Sequence, residues 1–387
     1  MEQKELDLLK RMVAIPSVSG QEAAIGEMLA EEFKVMGLQV EVHEISPGRP
    51  LVLGILEGAH PGPGLVYNGH TDTHSVDDYN GDPFDAFVKD GKLYGRGSVD
   101  MKGGLAAMIC AAARLTDKRD QLHGRLIIAA VPDEELLSEG TSLLAQLPLN
   151  AHAGIVSEPT NLKIGYAMRG VTHIDIHVQG VPKHTSSWGN NENAIIQMGK
   201  ILAAMDRDLP DVYAKRAHPL LGSPIFNVGM IHGGEKPNVV ARDCVVTLLR
   251  RDMPGEDPVE VFREFEEVAK KAATSSCTVE VHESDIQRRP GQKRRLPMEV
   301  DPNSDIVRIL REQTAAVTGQ PVQEGMVPFW CDASIMTNEA NIPTVVFGPG
   351  DIACAHSETE WIDVEQYALG IDIFEKTALA YLSGQKN

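Results

Sequence analysis

Short apolar runs recur along the first part of this sequence, and several of them end directly in a histidine or in carboxylates. Runs of this length that are bounded by glycine or proline and alternate with helical stretches are typical of strands in an α/β layer. Open α/β sheets collect the carboxyl ends of their parallel strands at one edge, so we expect these polar residues to lie together there. The runs and the residues that follow them are 65–68 with His70 and Asp72, 125–131 with Glu134 and Glu135, and 154–156 with Glu158.

Two further segments bring polar side chains to the ends of expected elements. Residues 95–104, which read G-R-G-S-V-D-M-K-G-G, place Asp100 in a glycine-dense turn before an alanine-rich helical stretch. This turn is not a dinucleotide fingerprint, because its third glycine is misplaced and an aspartate there would repel a phosphate. Residues 355–360, which read A-H-S-E-T-E, place His356 after the apolar residues 345–347. Both segments are therefore candidates for the same sheet edge.

The combination of these residues points to a metal site. Two histidines and three or four carboxylates, with no cysteine among them, are donors suited to two hard-to-borderline divalent cations that share one carboxylate. Taken singly the motifs are less specific, since His70 with Asp72 also fits a hydrogen-bonded pair at the surface, and residues 133–135 also fit a solvated acidic loop. Three adjacent carboxylates repel one another unless cations neutralise them, which favours the metal interpretation.

The sequence pattern changes after Gly170. Residues 171–178 alternate with period two, as in a half-exposed antiparallel strand, and further alternating and helical stretches follow. We expect a catalytic domain formed by residues 1–169 and 287–387, interrupted by a small α+β domain of residues 170–286. The basic stretch 288–295 fits a solvated connector at this boundary better than an anion-binding or targeting patch, because proline and glycine stand in it.

Two local signals predict where the chain begins a helix and where it turns. Residues 19–22 read S-G-Q-E, an S-x-x-E capping box that predicts the start of a helix. Residues 61–64 read P-G-P-G and predict a turn before the strand that leads to His70.

The overall composition excludes several classes of protein. The chain of 387 residues carries 36 Lys and Arg against 55 Asp and Glu, a net charge of −19, which opposes non-specific binding to nucleic acid or to an anionic membrane. No apolar run reaches the ~18 residues of a membrane helix. Five scattered cysteines without a C-x-x-C pair, and a charged N-terminus without the apolar core of a signal peptide, lead us to expect a cytoplasmic protein.

Taken together, the motifs resemble those of the M20 metallopeptidase family. The resemblance rests on G-H-T-D at 69–72, the segment 95–104, D-E-E at 133–135, S-E-P at 157–159 and A-H-S-x-x-E at 355–360, in this order along the chain. The preceding V-F-G-P-G is most similar to the branch of acetylornithine deacetylase and succinyl-diaminopimelate desuccinylase. The resemblance implies a zinc-peptidase-like α/β catalytic domain with a mixed sheet, and an inserted ferredoxin-like α+β domain that acts as the lid and the dimerisation domain of a homodimer.

The resemblance also implies a set of metal ligands. Asp100 would bridge two divalent metal ions, most often zinc and otherwise cobalt or manganese. His70 and Glu158 would complete one site, and Glu135 and His356 would complete the other.

Further residues receive catalytic and binding roles through the same resemblance. Glu134 would be the general acid and base, and Asp72 would be the acid behind His70. In the inserted domain, His184 would stabilise the oxyanion in the active site of the partner subunit. Asn238 and Arg251 would contact the carboxylate of the substrate.

The expected activity is hydrolysis of the amide bond of a small N-acyl amino acid. A dipeptidase or a glutamate-carboxypeptidase-like peptidase is the alternative, because it needs the same metal chemistry and differs only in the contacts made by the lid. Departures from the family pattern at 73–84, at Leu249 and at 330–332 leave the subfamily open. An inactive binding protein on the same fold is disfavoured, because Glu134 and all five metal ligands are intact.

Overall fold

The computed structural model describes residues 1–184, 186, 190–286 and 294–383. Most of the basic stretch 288–295 lies outside these residues, so its interpretation as a connector stays a prediction. The chain divides into two compact units: unit 1 comprises Met1–Ala167 and Met298–Asn387, and unit 2 comprises Met168–Pro297. The lid and dimerisation roles expected for the inserted segment stay predictions.

Strands and helices alternate along unit 1, and unit 2 interrupts this order. The strands of the described chain are β1 (Gln39–Ser46), β2 (Arg49–Glu57), β3 (His60–His70), β4 (Phe87–Lys89), β5 (Lys92–Tyr94), β6 (His123–Val131), β7 (Ala153–Val156), β8 (Ile164–Met168), β9 (Thr172–Gln179), β10 (Ile225–Gly233), β11 (Asp243–Arg251), β12 (Thr278–Glu283), β13 (Met298–Glu299), β14 (Glu324–Met326), β15 (Thr344–Val346) and β16 (Trp361–Asp363). The helices are α1 (Gln3–Val13), α2 (Ala23–Val35), α3 (Lys102–Leu115), α4 (Glu139–Leu144), α5 (Ala194–Ala214), α6 (Pro258–Ala272), α7 (Asp305–Thr318), α8 (Ala333–Asn338) and α9 (Val364–Tyr381). None of the described helices has the length and apolar composition that spanning a bilayer requires.

A large mixed sheet forms the centre of unit 1. In the described residues it has nine strands in the order β1-β2-β6-β3-β7-β15-β8-β13, with β14 paired to β8. β6, β3, β7 and β15 are parallel neighbours, whereas β1, β2 and β6 pair in antiparallel fashion. β6 is continuously buried from Leu126 to Val131, as expected for a strand that is covered on both faces. This mixed α/β architecture confirms the predicted fold class.

The prediction of a turn at 61–64 is wrong. These residues belong to the first part of β3, which runs from His60 to His70. Pairing between β3 and β6 is interrupted between His60 and Gly64, where the two prolines have no N–H to donate. The irregularity lets the strand continue through a sequence that is otherwise typical of a turn.

The capping box predicted at 19–22 is also absent. α2 begins at Ala23, and its N-cap residue Glu22 makes no side-chain capping hydrogen bond. The Ser19 hydroxyl instead donates to a carboxylate oxygen of Asp72 at 2.7 Å, and the Glu22 carboxylate accepts hydrogen bonds from Arg49. Tertiary partners therefore replace the local capping contacts.

Unit 2 has the chain order β9-α5-β10-β11-α6-β12 and an antiparallel sheet in the order β10-β11-β9-β12. This is the ferredoxin-like arrangement that the resemblance implies. The inward side chains Ile174, Ile176 and Val178 of β9 form one buried cluster with residues of α5 and α6. The period-two burial of β9 confirms the alternation seen in residues 171–178.

Candidate metal centre

The carboxyl ends of the parallel strands carry most of the predicted ligands. His70 is the last residue of β3, the acidic run 133–135 begins two residues after β6, and Glu158 follows β7 by two residues. β15 leads through a glycine-proline loop to His356. The structure thus brings together side chains that are 286 residues apart in sequence (356 − 70), through the ends of neighbouring strands.

His70 is held at the centre of this edge with only 1% of its surface exposed. Its Nδ1–H donates to the backbone carbonyl of Asp72 at 2.8 Å. Its Nε2 lies 3.1 Å from Oδ1 of Asp100 and 3.9 Å from Oε1 of Glu158. The hydrogen bond at Nδ1 leaves Nε2 as the atom that can bind a metal.

Asp72 contacts both His70 and the acidic turn, and its role as the acid behind His70 stays a prediction. Its carboxylate lies 3.7 Å from Nδ1 of His70, so its backbone carbonyl rather than its side chain orients the ring. The carboxylate instead accepts the backbone N–H groups of Glu134 at 3.1 Å and Glu135 at 3.2 Å. Burial raises the pKa of Asp72 to about 6. Asp72 therefore ties the acidic turn to the end of β3.

Asp100 lies between two histidines. Its Oδ1 faces His70, and its Oδ2 lies 3.2 Å from Nε2 of His356. Although burial opposes ionisation, the contacts with His356 and His70 hold the pKa of Asp100 below its usual range. One carboxylate that faces a histidine with each oxygen has the arrangement needed to bridge two cations.

Glycines allow the Asp100 loop to pack closely against β7. A Cβ on Gly104 would overlap the carbonyl oxygen of Ser157, next to Glu158, and a Cβ on Gly103 would overlap that of Ser98. The first turn of α3 can therefore approach the end of β7 only without a side chain at Gly104, and the Asp100 loop can fold against α3 only without one at Gly103.

The other side of the cluster is formed by His356 and Glu135. Nε2 of His356 lies 3.0 Å from Oε1 of Glu135, and these contacts with Asp100 and Glu135 raise the pKa of His356 to about 10. The His356 side chain is 45% exposed, and its backbone adopts a φ of 54°. The ring of His74 stacks on it with centroids 4.2 Å apart.

Glu134 and Glu158 complete the cluster. One ligand atom each of His70, Glu134 and Glu158 lies within 4.8 Å of the others, and the same holds for His70, Asp100 and Glu135. Burial and the charge of Glu158 raise the pKa of Glu134, and burial and the charge of Asp100 raise that of Glu158. Glu134 thus lies in the same cluster of potential metal-binding side chains as the predicted ligands His70 and Glu158.

The donor set fits divalent cations. Imidazole nitrogens and carboxylate oxygens, without thiolates, suit zinc and similar ions. Burial disfavours protonation of His70, yet Asp100, Glu158 and Asp72 together raise its pKa well above the usual value. The carboxylates therefore create a buried position where positive charge is strongly stabilised, as a metal site requires.

Supporting residues were missed by the sequence interpretation. Glu360 is fully buried and accepts the backbone N–H groups of Val99 at 2.9 Å and Asp100 at 3.0 Å, together with the guanidinium of Arg96 at 2.8 Å. It fixes the Asp100 loop to the segment that carries His356. Its position in the A-H-S-E-T-E motif was the available signal, but residue type alone does not distinguish a buried acceptor from a solvated acid.

The other predicted site residues lie in unit 2. His184 forms an isolated bridge with Val239, next to Asn238, and its Nδ1 lies 2.8 Å from the Ser186 hydroxyl. His184 and Asn238 are both exposed, whereas Arg251 is the half-buried last residue of β11. The oxyanion and substrate roles of these three residues stay predictions.

Comparison with known proteins agrees with this geometry. A model described as peptidase family M20/M25/M40 matches residues 66–380. The chain is 27% identical over 402 residues to N-formyl-4-amino-5-aminomethyl-2-methylpyrimidine deformylase of Halalkalibacterium halodurans, covering 97% of this chain and 93% of that protein.

Solved structures share the fold over the full length. A tripeptidase from Staphylococcus aureus is similar with a TM-score of 0.76 and 22% identity, covering 100% of this chain and 99% of that one. A dinuclear metal-binding peptidase of family M20 from Bacillus subtilis is similar with a TM-score of 0.75 and 17% identity, covering 98% of both chains. The chain belongs to peptidase family M20/M25/M40 and is a hydrolase of amide bonds.

Proposed function

We propose that this enzyme uses two divalent metal ions to remove the acyl group from small N-acyl amino acids. The observation that carries the proposal is the position of Asp100, whose two oxygens face His70 and His356 at 3.1 and 3.2 Å. His70 and Glu158 would hold one ion, Glu135 and His356 the other, and Asp100 both. We propose zinc, with cobalt or manganese as alternatives that the same nitrogen and oxygen donors accept.

The chain's own residues supply proton transfer and orientation. Bound metal ions would polarise the amide carbonyl and increase the acidity of water. Glu134 lies within the ligand cluster, and its backbone N–H is held by Asp72. In the proposed mechanism its carboxylate takes the proton from the attacking water and returns it to the nitrogen of the departing amine. His184 is proposed to donate to the oxyanion in the active site of the partner subunit.

The arginines of unit 2 favour a substrate that carries an anionic group. The pairing of Arg250 with Thr172, and of Asp252 with Gly170, places Arg251 opposite Val171, which also bridges to Arg295. Arg169 lies in the connection just before β9. Burial and the charges of Arg169 and Arg295 lower the pKa of Arg251. Among the described residues no carboxylate forms an ion pair with Arg251, and the adjacent Asp252 contacts Arg250 at 2.8 Å. We therefore propose that Arg251, with Asn238, binds the substrate carboxylate.

The curated relative supports a short acyl group. That protein is a deformylase, and the similarity extends over 97% of this chain. A formyl or acetyl group on an amino acid would combine this chemistry with the anionic group proposed for Arg251.

A homodimer through unit 2 is proposed on the basis of β10. This strand is an edge of its sheet, and Ile225, Met230 and Ile231 on it are 49%, 42% and 53% exposed. Exposed apolar edge strands are prone to pair with another chain. Ile231→Lys should convert a dimer to a monomer in sedimentation equilibrium, and a wild-type monomer would exclude the dimer.

The five free cysteines support the proposed cytoplasmic location.

The proposal is tested with metal-reconstituted enzyme and a panel of formylated, acetylated and succinylated amino acids beside dipeptides. We expect hydrolysis of the acylated amino acids that chelation abolishes. Glu134→Gln should lower kcat by about 10²–10⁴-fold and retain the metal ions, since it removes only the proton carrier. Glu280→Gln, at an exposed position in β12, is the matched control.

Two results would redirect this conclusion. Preference for dipeptides over every acylated amino acid would favour the peptidase alternative. Hydrolysis that survives complete chelation or Glu134→Gln would contradict the mechanism itself.

A further inference from the structure

A buried ionic network lies behind the acidic turn, outside the set of proposed metal ligands. The Arg49 guanidinium at the start of β2 donates to both Glu22 oxygens at 2.9 and 2.5 Å, and to Oδ1 of Asp133 at 2.6 Å. The Glu22 and Asp133 side chains are 0% exposed, and that of Arg49 is 12% exposed. Three elements that are distant in sequence therefore meet at one guanidinium.

Asp133 organises the turn that carries Glu134 and Glu135. It has a φ of 78°, which a non-glycine residue adopts only with support from its surroundings. Its carbonyl accepts the N–H groups of Leu137 at 3.0 Å and Ser138 at 2.7 Å. Its Oδ2 accepts the N–H of Glu139 at 3.2 Å, so one aspartate closes the whole turn.

The turn is held from two sides. On the side of the metal centre, the Asp72 carboxylate accepts the N–H groups of Glu134 and Glu135. On the far side, Arg49 holds Asp133. Ser19 donates to Asp72, and Glu22 accepts from Arg49, so one short segment before α2 reaches both supports. This is the segment whose sequence predicts a capping box.

Stability alone is a weak reason to bury such a network. Desolvation of buried ions offsets most of their attraction, and apolar side chains of similar volume often stabilise a fold equally well. A guanidinium that bonds two carboxylates does fix direction, because its donors form a rigid planar fork. The network is therefore suited to holding the turn in one position.

We propose that Arg49, fixed by Glu22, is a positioning residue that sets the Asp133 turn and thereby places Glu134 and Glu135 at the metal centre. This inference rests on the proposed function for the roles of these two glutamates. Arg49 acts through Asp133 and does not itself contact the cluster of ligand atoms.

The test compares Arg49→Met with Arg114→Met in the full-length enzyme. Arg114 is a matched control, because it also bonds several carboxylates, namely Glu5 at 2.6 Å, Asp372 at 2.6 Å and Glu375 at 3.0 Å, but at helices α1 and α9. Thermal unfolding, zinc affinity by competition with a chelator, and kcat and KM are measured for both variants. Arg49→Lys and Glu22→Gln provide milder changes if Arg49→Met does not fold.

We expect both methionine variants to lower Tm. Only Arg49→Met should also weaken zinc binding and lower kcat, each by about 10–100-fold with KM little changed, the range seen when supports of metal ligands are removed. Arg49→Lys should recover part of both losses, because lysine keeps the charge and loses the fork.

Equal zinc affinity and kcat in Arg49→Met and Arg114→Met at equal loss of Tm would overturn the inference and leave Arg49 a structural residue. Zinc affinity is measured without a substrate, so this outcome is independent of the proposed activity. Failure of the wild-type enzyme on the acyl panel would contradict the proposed function and leave the zinc comparison valid.

Discussion

Two sides of the proposed metal centre differ in how firmly their side chains are held. The inner arm, His70 and Glu158, lies at the ends of β3 and β7 with 1% and 4% exposure, and its imidazole is fixed by the Asp72 carbonyl. The outer arm, His356 and Glu135, includes a histidine that is 45% exposed and lies in a loop. In the described residues, the only ring stacked on His356 is that of His74.

This difference predicts that the two proposed sites are unequal. A donor whose orientation is fixed before binding loses less conformational freedom when it binds a ligand. The inner arm is pre-organised by strands and by the hydrogen bond at Nδ1 of His70, whereas the His356 side chain is 45% exposed and lies outside the strands. We therefore expect the first zinc ion to bind the inner arm and the second to bind the outer arm more weakly.

Replacement of the two histidines gives the largest expected effect. His70→Ala should remove the tighter zinc ion and lower kcat by more than about 100-fold, since even supports of a ligand are worth 10–100-fold. His356→Ala should weaken binding of the second zinc ion and leave binding of the first nearly unchanged. Zinc titration with a chromophoric chelator, together with kcat, distinguishes the two variants. If both variants lose the same ion, the inner and outer arms do not differ as described.

Asp72→Asn tests the link between the inner arm and the acidic turn. The carboxylate now accepts the backbone N–H groups of both Glu134 and Glu135. The NH₂ of an asparagine would face one of these N–H groups and could not accept its hydrogen bond. We expect kcat to fall by about 10–100-fold, while the backbone carbonyl still orients His70 and the first zinc ion is retained.

Ser19→Ala is the mild companion to that variant, because it removes only the hydroxyl that donates to Asp72 at 2.7 Å. It should change kcat much less than Asp72→Asn does. Loss of the tight zinc ion in Asp72→Asn would instead mean that the carboxylate acts on His70 directly, as the resemblance implies.

The smallest effect concerns the ring stacked on the outer arm. Aromatic pairs contribute about 0.5–1.5 kcal/mol beyond their buried area, so His74→Ala should lower the affinity for the second zinc ion by about 2–10-fold. His74→Phe keeps a ring at the same position and should retain most of that affinity. An unchanged second affinity in His74→Ala would show that the stacking at 4.2 Å does not order His356.

Much of the site could be predicted from the sequence because strands leave a simple signal. Apolar runs that end in polar residues place His70, Glu134 and Glu158 at one sheet edge, and the parallel order of β6, β3 and β7 brings them together. Assignment of single residues to two metal ions came from the resemblance, since residue types alone do not define which carboxylate lies between two histidines.

Backbone-dependent details could not be predicted. Whether the carbonyl or the carboxylate of Asp72 supports His70 depends on the path of the chain after β3. The S-x-x-E pattern at 19–22 is compatible with a local cap. In the folded protein, however, Ser19 donates to Asp72 and Glu22 accepts from Arg49, so neither side chain caps the helix. Likewise, the turn signal at 61–64 is overridden by pairing of β3 with the buried strand β6.

Asp100 is proposed to join two unequal metal sites in one chain. Titration of the chelated, full-length wild-type enzyme with zinc tests it most directly, with bound zinc counted per chain. We predict two zinc ions that bind in separate steps, the tighter step absent in His70→Ala and the weaker step absent in His356→Ala. A single zinc ion per chain, or two equal steps that both persist in His356→Ala, would contradict the account.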